Sequence, residues 1–411
     1  MIYPKIRLSE NIYWVGTNDR KTRLFENYWP IPLGIAYNSY LILDDQITLM
    51  DTVSMGTMDS FLEKLKEILN GRAINYLIIN HMEPDHSGAV KTIINEFPQV
   101  TIVGNNRTFP MLEGYYGIKK NLMEVKENAV LHTGQHQFHF YLTPMVHWPE
   151  TMMTYESTEK ILFSADAFGS YGTLDGGIFD DELNLSFYED EMRRYYSNIV
   201  GKYGLQVQKA LAKLESLDLR MIASTHGPIW RLHIPKVVEF YRNWSTYKTE
   251  QGVVIAFGSM YGNTEKMADI IARAIAEEDI RNVRIYDVSK THSSYIISDI
   301  WKYRGVILGS CAYNGGIFTP MRDLLMQLEH IMPRNHFLSI FGSMSWGGGG
   351  VSTLKKFAEN IKWELIGEAI EVKHSPSDKD IVSLIELGKQ MARRLKENDS
   401  SFSENNKPEM I

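Results

Sequence analysis

Residues 77–88 read LIINHMEPDHSG. The opening LIIN is an apolar run of the kind that ends a buried strand, and SGAVKTIINEF (87–97) has helical periodicity with Ser87 near its start. Between them stand His81, Glu83, Asp85 and His86, four ionisable side chains within six residues. A strand, a loop collecting polar groups and a helix is the layout in which open α/β architectures gather ligands. A solvated, capped turn would explain any one of these side chains alone. Four together repel and desolvate one another unless a cation sits among them, so the spacing His-x-Glu-x-Asp-His points to a metal site.

The chain has 411 residues, enough for two or three domains with their own cores, and 44% hydrophobic with 23% charged residues is an ordinary globular composition. A net charge of −7 supplies neither the basic stripe that nucleic acids need nor a polybasic segment for an anionic membrane. The opening MIYPKIRLSENIYWVG lacks the layout of a signal peptide, and no apolar run approaches a membrane span, so a cytoplasmic protein is expected. The single cysteine, Cys311, excludes an internal disulfide and any cysteine-held iron–sulfur cluster.

The style of the sequence changes near WSTYKTEQG (244–252). Upstream, hairpin-like pairs (YNSYLILDDQITLMDTV, 37–53; MTYESTEKILFSADAF, 153–168) mix with helical stretches such as MDSFLEKLKEILNG (58–71). Downstream, VVIAFGS, VRIYDVS, GVILGSC, HFLSIFG and AIEVKHS read as short buried strands alternating with helical patterns, which requires a doubly wound parallel sheet. Three segments are expected: 1–248, 249–397, and a polar, unstructured tail over 398–411.

A metal site at 81–86 needs ligands from elsewhere, and three apolar strands end in a single His or Asp before a turn: FYLTPMVHWPE gives His147, ILFSADAFG gives Asp166, MIASTHGPIW gives His226. Each alone reads as a satisfied buried polar residue. Their order resembles the metallo-β-lactamase fold, an αββα sandwich whose sites lie along one edge. Glu83 stands where hydrolytic members usually carry a second His, and a carboxylate there favours iron over zinc. The chain thus resembles the flavodiiron proteins. That resemblance implies His81, Glu83, Asp85, His147, a bridging Asp166 and His226 as ligands of two non-haem irons, with His86 at a position that ligates iron in some members and not in others.

SMYGNTEKM (259–267) follows the first strand of the parallel sheet and opens a helix, so its hydroxyls, amides and Gly262 can seat a phosphate on a helix N-terminus. It is neither a Walker A loop nor a dinucleotide fingerprint, and a Gly-Asn turn with Thr264 as cap is the bland alternative. GSCAYNGGIF (309–318) and FGSMSWGGGG (341–350) fall at the same sheet edge and add aromatics and bare backbone, which suit an isoalloxazine ring. The pattern looks like flavodoxin with FMN. The expected cofactor contacts are Ser259, Met260, Tyr261, Gly262, Asn263, Thr264, Ser310, Ala312, Tyr313, Asn314, Gly315, Ser345, Trp346, Gly347 and Gly348, with the run Gly347–Gly350 packed close to the ring.

The fold expected is therefore α/β, an N-terminal metallo-β-lactamase-like αββα sandwich followed by a flavodoxin-like doubly wound sheet. The resemblance implies an oxidoreductase that reduces O2 to water or NO to nitrous oxide at the irons, with electrons relayed through FMN from rubredoxin or, in archaea, the deazaflavin F420. It also implies a head-to-tail homodimer, or a dimer of dimers, in which each FMN approaches the partner's irons. Alignment with the family brings Phe25, Glu26, Trp148 and Tyr195 to the irons, although aromatics more often serve as packing. The rivals are a zinc hydrolase carrying a flavodoxin-like module and an electron shuttle with a vestigial metal site.

Overall fold

The structure is a computed structural model and describes residues 5–404. Two compact units divide between Thr246 and Tyr247. Among the described residues no helix is long and apolar enough to cross a membrane.

The N-terminal unit is built on two sheets. One runs, in spatial order, through Ile6–Arg7, Ile12–Trp14, Tyr40–Ile42, Thr48–Met50, Tyr76–Ile78, Thr101–Gly104 and Leu122–Glu124; the other through Val130–His132, Gln137–Leu142, Met152–Glu156, Ile161–Phe163 and Met221–Ala223. Alternate residues of each strand share one core: Ile12, Trp14, Tyr40, Ile42, Met50, Ile78 and Val103 from the first sheet, Phe138, Phe140, Met152, Ile161, Phe163 and Ala223 from the second. Because side chains alternate across a strand, Leu41, Leu49, Leu77, Leu162 and Ile222 point to the outer faces, yet all are buried. Both outer faces are therefore covered, which is why the helix Met58–Leu69 carries an apolar stripe of Phe61, Leu65, Ile68 and Leu69. The unit is a metallo-β-lactamase-like αββα sandwich.

Strand direction then decides where the loops gather. Gln137–Leu142 and Ile161–Phe163 are each antiparallel to Met152–Glu156, and Ile161–Phe163 is parallel to Met221–Ala223. Three strands thus end at one edge, delivering His147, Asp166 and His226 there. The loop after Tyr76–Ile78 differs from the single helix expected: Pro84–Ser87 forms one short turn and Val90–Glu96 a second helix. Ser87 does not cap the second helix; its hydroxyl bonds Met82 O at 2.7 Å and holds the loop itself.

In the C-terminal unit the order is Val283–Asp287, Glu250–Gly258, Tyr303–Tyr313, Phe337–Met344 and Ile370–Lys373, all parallel. This is a flavodoxin-like doubly wound sheet. Separate apolar clusters, one around Ile296, Ile300 and Leu324, the other around Met267, Ile271 and Leu384, cover its two faces. The topological switch lies between the first and third strands in sequence, and ligands of such sheets sit above the strand ends there. The last helix runs Asp378–Glu404, beyond the start of the expected tail, since extending a formed helix costs far less than starting one. The rest of that tail, 405–411, lies outside the described residues.

Candidate metal centre and flavin cradle

The edge loops of the first unit converge on two groups of side chains, His81, Glu83, His147 and Asp166, and Asp85, His86 and His226. In the first group His147 Nε2 lies 3.0 Å from Glu83 Oε2 and 3.0 Å from Asp166 Oδ2, and His81 Nε2 lies 3.2 Å from Glu83 Oε2. In the second, His86 Nε2 is 3.1 Å from His226 Nε2, and the two lie 3.2 and 3.3 Å from Asp85 Oδ2. Asp166 faces both: its Oδ2 serves the first group and its Oδ1 stands 3.0 Å from His86 Nε2. One carboxylate with an oxygen toward each of two imidazole and carboxylate sets is the arrangement that bridges two cations.

The local backbone is bent to achieve this. Ala165, immediately before Asp166, sits at φ +51°, a left-handed conformation that a residue with a Cβ adopts at a cost of about 1–2 kcal/mol. Gly227, after His226, has φ +70°, and a Cβ there would stand 2.1 Å from Ser170 Oγ. Strain of this kind collects where a site must be aimed rather than where a core must be filled.

Burial and charge compete at these groups. Burial alone would raise the Asp166 pKa, but His81 and His86 outweigh it and hold the carboxyl well below the usual range. Burial would lower the His147 pKa, but Asp166 and Glu83 raise it to about 9. Glu83 is likewise held low against burial by His147 and His81. The donor set of imidazole nitrogens and carboxylate oxygens, arrayed around two points in a region nearly sealed from water, fits a pair of iron ions. The buried carboxylate oxygens of Asp85, which among the described residues accept no hydrogen bond and stand only in ion-pair range of the His86 and His226 imidazoles, fit the same reading.

Outer partners fix the ring orientations. His226 Nδ1 donates to Ala36 O at 2.8 Å, and His81 Nδ1 donates to Glu150 Oε1 at 2.9 Å. Glu150 escaped the sequence reading although it closes the same FYLTPMVHWPE stretch as His147, because no spacing rule ties a supporting carboxylate to its histidine.

All four expected pocket residues stand at this edge. Phe25 meets the His226 ring edge-on at 5.5 Å, Tyr195 lies 5.5 Å from it, and Trp148 meets His81 at 5.4 Å, all between ring centroids. Tyr195 is fully buried with no hydrogen-bond partner for its hydroxyl among the described residues, and the helix Leu185–Tyr195 widens into a π-helical turn over Tyr196–Val200 directly after it. Glu26 accepts a hydrogen bond from Trp29 Nε1 at 2.9 Å, and burial together with the Glu83 carboxylate pushes its pKa up to about 7. Tyr171, absent from the sequence expectations, packs against Tyr195 at 5.1 Å beneath the Arg194 guanidinium. A cavity of about 600 Å³, lined by Phe25, Glu26 and Tyr37 among others, opens onto Glu83 and Asp85.

The second site lies in the other unit. Residues 259–261, 263–264, 312–315 and 345–347 line a cavity of about 330 Å³ above the strand ends. The helix Asn263–Glu277 begins there, directly after Gly262 at φ +87°, and Thr264 Oγ1 bonds Ser343 Oγ at 2.9 Å. Tyr261 is 91% and Trp346 86% exposed. Two aromatics left open at the rim, hydroxyls and a helix N-terminus at the base fit a flat ring carrying a phosphate.

Three expected contacts are not among the lining residues. Ser310 is buried, its hydroxyl donating to Cys311 O; Gly262 shapes the turn beneath; Gly348 faces Glu371. The glycine run also serves a contact that the sequence did not suggest: a Cβ on Gly349 would meet Gly315 O at 2.5 Å, so the run lets two loops touch backbone to backbone. Cys311, Ser343, Met344 and His374 line the cavity without having been foreseen. Of these, His374 arrives only through the last strand, its N–H donating to Met344 O at 2.7 Å.

A two-point metal cage in one unit and a flavin-sized cradle in the other define a two-module oxidoreductase. A model described as ODP family beta lactamase matches residues 35–227, and the flavodoxin model matches 255–388. The chain is 32% identical over 395 residues to a nitric oxide reductase of Moorella thermoacetica, spanning 95% of this chain and 98% of that one. It superposes on the rubredoxin oxygen:oxidoreductase of Desulfovibrio gigas with a TM-score of 0.93 at 29% identity, covering 97% and 100% of the two chains. Against a mutant flavo-diiron protein of Thermotoga maritima the TM-score is 0.87 at 27% identity, covering 95% and 98%. The chain belongs to the flavodiiron family.

Proposed function

We propose that this protein reduces O2 to water, NO to nitrous oxide, or both, at a non-haem iron pair fed through FMN. The observation that carries the reading is Asp166, with Oδ2 turned to His81 and His147 and Oδ1 to His86 and His226. In this reading His81, Glu83 and His147 would hold one ion and Asp85, His86 and His226 the other, with an oxygen of Asp166 available to each. Such a pair would supply two electrons, enough with two protons to join two NO as nitrous oxide and one water, and a reduced FMN would supply the two more that O2 needs, with four protons, to give two waters.

The chain's own residues then have distinct tasks. Phe25 and Trp148 cover the histidines and keep bulk water from them, while the cavity ending at Glu83 and Asp85 admits a small gas. Tyr195, whose hydroxyl has no partner among the described residues and whose ring neighbours His226, would donate a hydrogen bond to bound gas. In the cradle, Tyr261 and Trp346 stack on the ring, and the start of the helix Asn263–Glu277 receives the phosphate. The donor is a rubredoxin-type protein, in keeping with the name of the Desulfovibrio gigas relative, or a reduced deazaflavin, and the working assembly is a homodimer or a dimer of dimers. The setting is the cytoplasm. A zinc hydrolase is disfavoured by the reductase and oxidoreductase names of the relatives.

Elemental analysis, a visible spectrum and anaerobic stopped-flow mixing of donor-reduced protein with O2 or NO test the proposal together. Iron with a flavin spectrum and rapid gas consumption is the expected result. Zinc without a chromophore would support the hydrolase, and flavin without gas consumption the electron shuttle.

A further inference from the structure

The two metal positions are supported differently from behind. His226 leans on a neutral backbone carbonyl, Ala36 O, and His86 Nδ1 has no hydrogen-bond partner among the described residues. His81 alone among these rings is backed by a carboxylate, Glu150.

Glu150 is 1% exposed, and its Oε1 accepts from both His81 Nδ1 and Met82 N at 2.9 Å. Its Oε2 is buried with no partner, and no lysine or arginine pairs with it among the described residues. A carboxylate withdrawn from water costs several kcal/mol unless positive charge compensates it. Packing alone does not account for a charged group in that place. The main chain that carries the carboxylate is also pinned, since Asn105 Nδ2 donates to the backbone Glu150 O at 2.5 Å and Arg107 Nη1 to the backbone Pro149 O at 3.1 Å.

We infer that Glu150 is a positioning residue for one metal position only: it fixes the Nδ1–H tautomer of His81, raises the basicity of Nε2, and makes the His81 position the tighter of the two. A carboxylate behind a ligating imidazole does this by drawing on the ring proton, and removing such a partner costs 10- to 100-fold in metal affinity. A carbonyl behind His226 draws on its proton less. The two ions are therefore held unequally by a chain that offers them nearly matched donor sets. This rests on the iron-pair reading above.

The test is anaerobic titration of metal-free, FMN-loaded protein with ferrous iron, comparing the parent with E150Q, E150D and E150A. The parent is expected to fill in two steps. E150Q should weaken the tighter step by about 10- to 100-fold and leave the weaker step and FMN content unchanged, so that the two steps merge. E150D, which keeps the charge at shorter reach, should recover part of the loss where E150A does not. Parent-like affinities in E150Q would overturn the assignment, as would a parallel fall at both steps with E150D no better than E150A, since that describes packing. A parent that binds no ferrous pair would take down the iron-pair reading and this inference with it.

Discussion

The two sites of this chain are made from opposite materials. The metal cage is built from ionisable side chains, with His81, His86, His226 and Asp166 fully buried and aimed by strained turns. The flavin cradle is built from backbone, hydroxyls and open aromatic faces, and among the described residues no lysine, arginine, aspartate or glutamate lines it. A cage for cations needs charge held against desolvation, so it tolerates few substitutions. A cradle for a flat, planar cofactor needs shape and bare amide groups, and its energy is spread over many weak contacts. Loss of one group should be catastrophic in the first and graded in the second.

Asp166→Ala gives the sharpest break. Both ions lose their shared ligand, so iron binding should collapse and gas reduction fall by more than the ~100-fold that outer-shell changes produce, with FMN content unchanged. Iron and flavin assays on one sample decide it, and parent-rate gas consumption would refute the role given to Asp166. Trp346→Ala should weaken FMN by about 1–3 kcal/mol, roughly 5- to 150-fold, while iron content holds; fluorescence titration of the flavin-free protein measures this.

The units should also differ in acid. In the C-terminal unit, burial depresses the His336 pKa to about 4 despite its hydrogen bond to Ile300 O. Its folded pKa lies below the unfolded value of 6.5, so its contribution is complete above pH 6.5 and is lost as pH falls toward 4. At pH 5 that is about 2 kcal/mol at ~1.4 kcal/mol per unit. In the N-terminal unit, burial alone would lower the His136 pKa, but Glu156 raises it, so that pair stabilises below 6.5 and weakens as pH rises. Denaturant titrations at pH 7 and 5, with hydrogen exchange resolving the units, should find the C-terminal unit the more acid-sensitive. The smallest effect expected is from Arg273→Ala, an exposed i,i+4 pair with Glu277, at under ~0.5 kcal/mol by chemical denaturation and with neither site altered.

Much of this was legible where the chemistry is local in the chain. His81, Glu83, Asp85 and His86 fall within one loop, and the alternation after residue 250 fixed the parallel sheet. His147, Asp166 and His226 were readable as strand ends because strand direction brings like ends together. Glu150 and Tyr171 were not, since a supporting carboxylate or a packed ring is defined by what it touches and by no spacing. The approach of Gly349 to Gly315 was hidden for the same reason, being a contact between loops that sequence does not display.

Cys311 carries one more consequence. The chain has a single thiol, and it lies in the wall of the flavin cavity, 6% exposed, with burial pushing its pKa up. A thiol-specific label therefore has one address in the whole molecule, and its rate of attachment reads out whether that cavity is filled or empty.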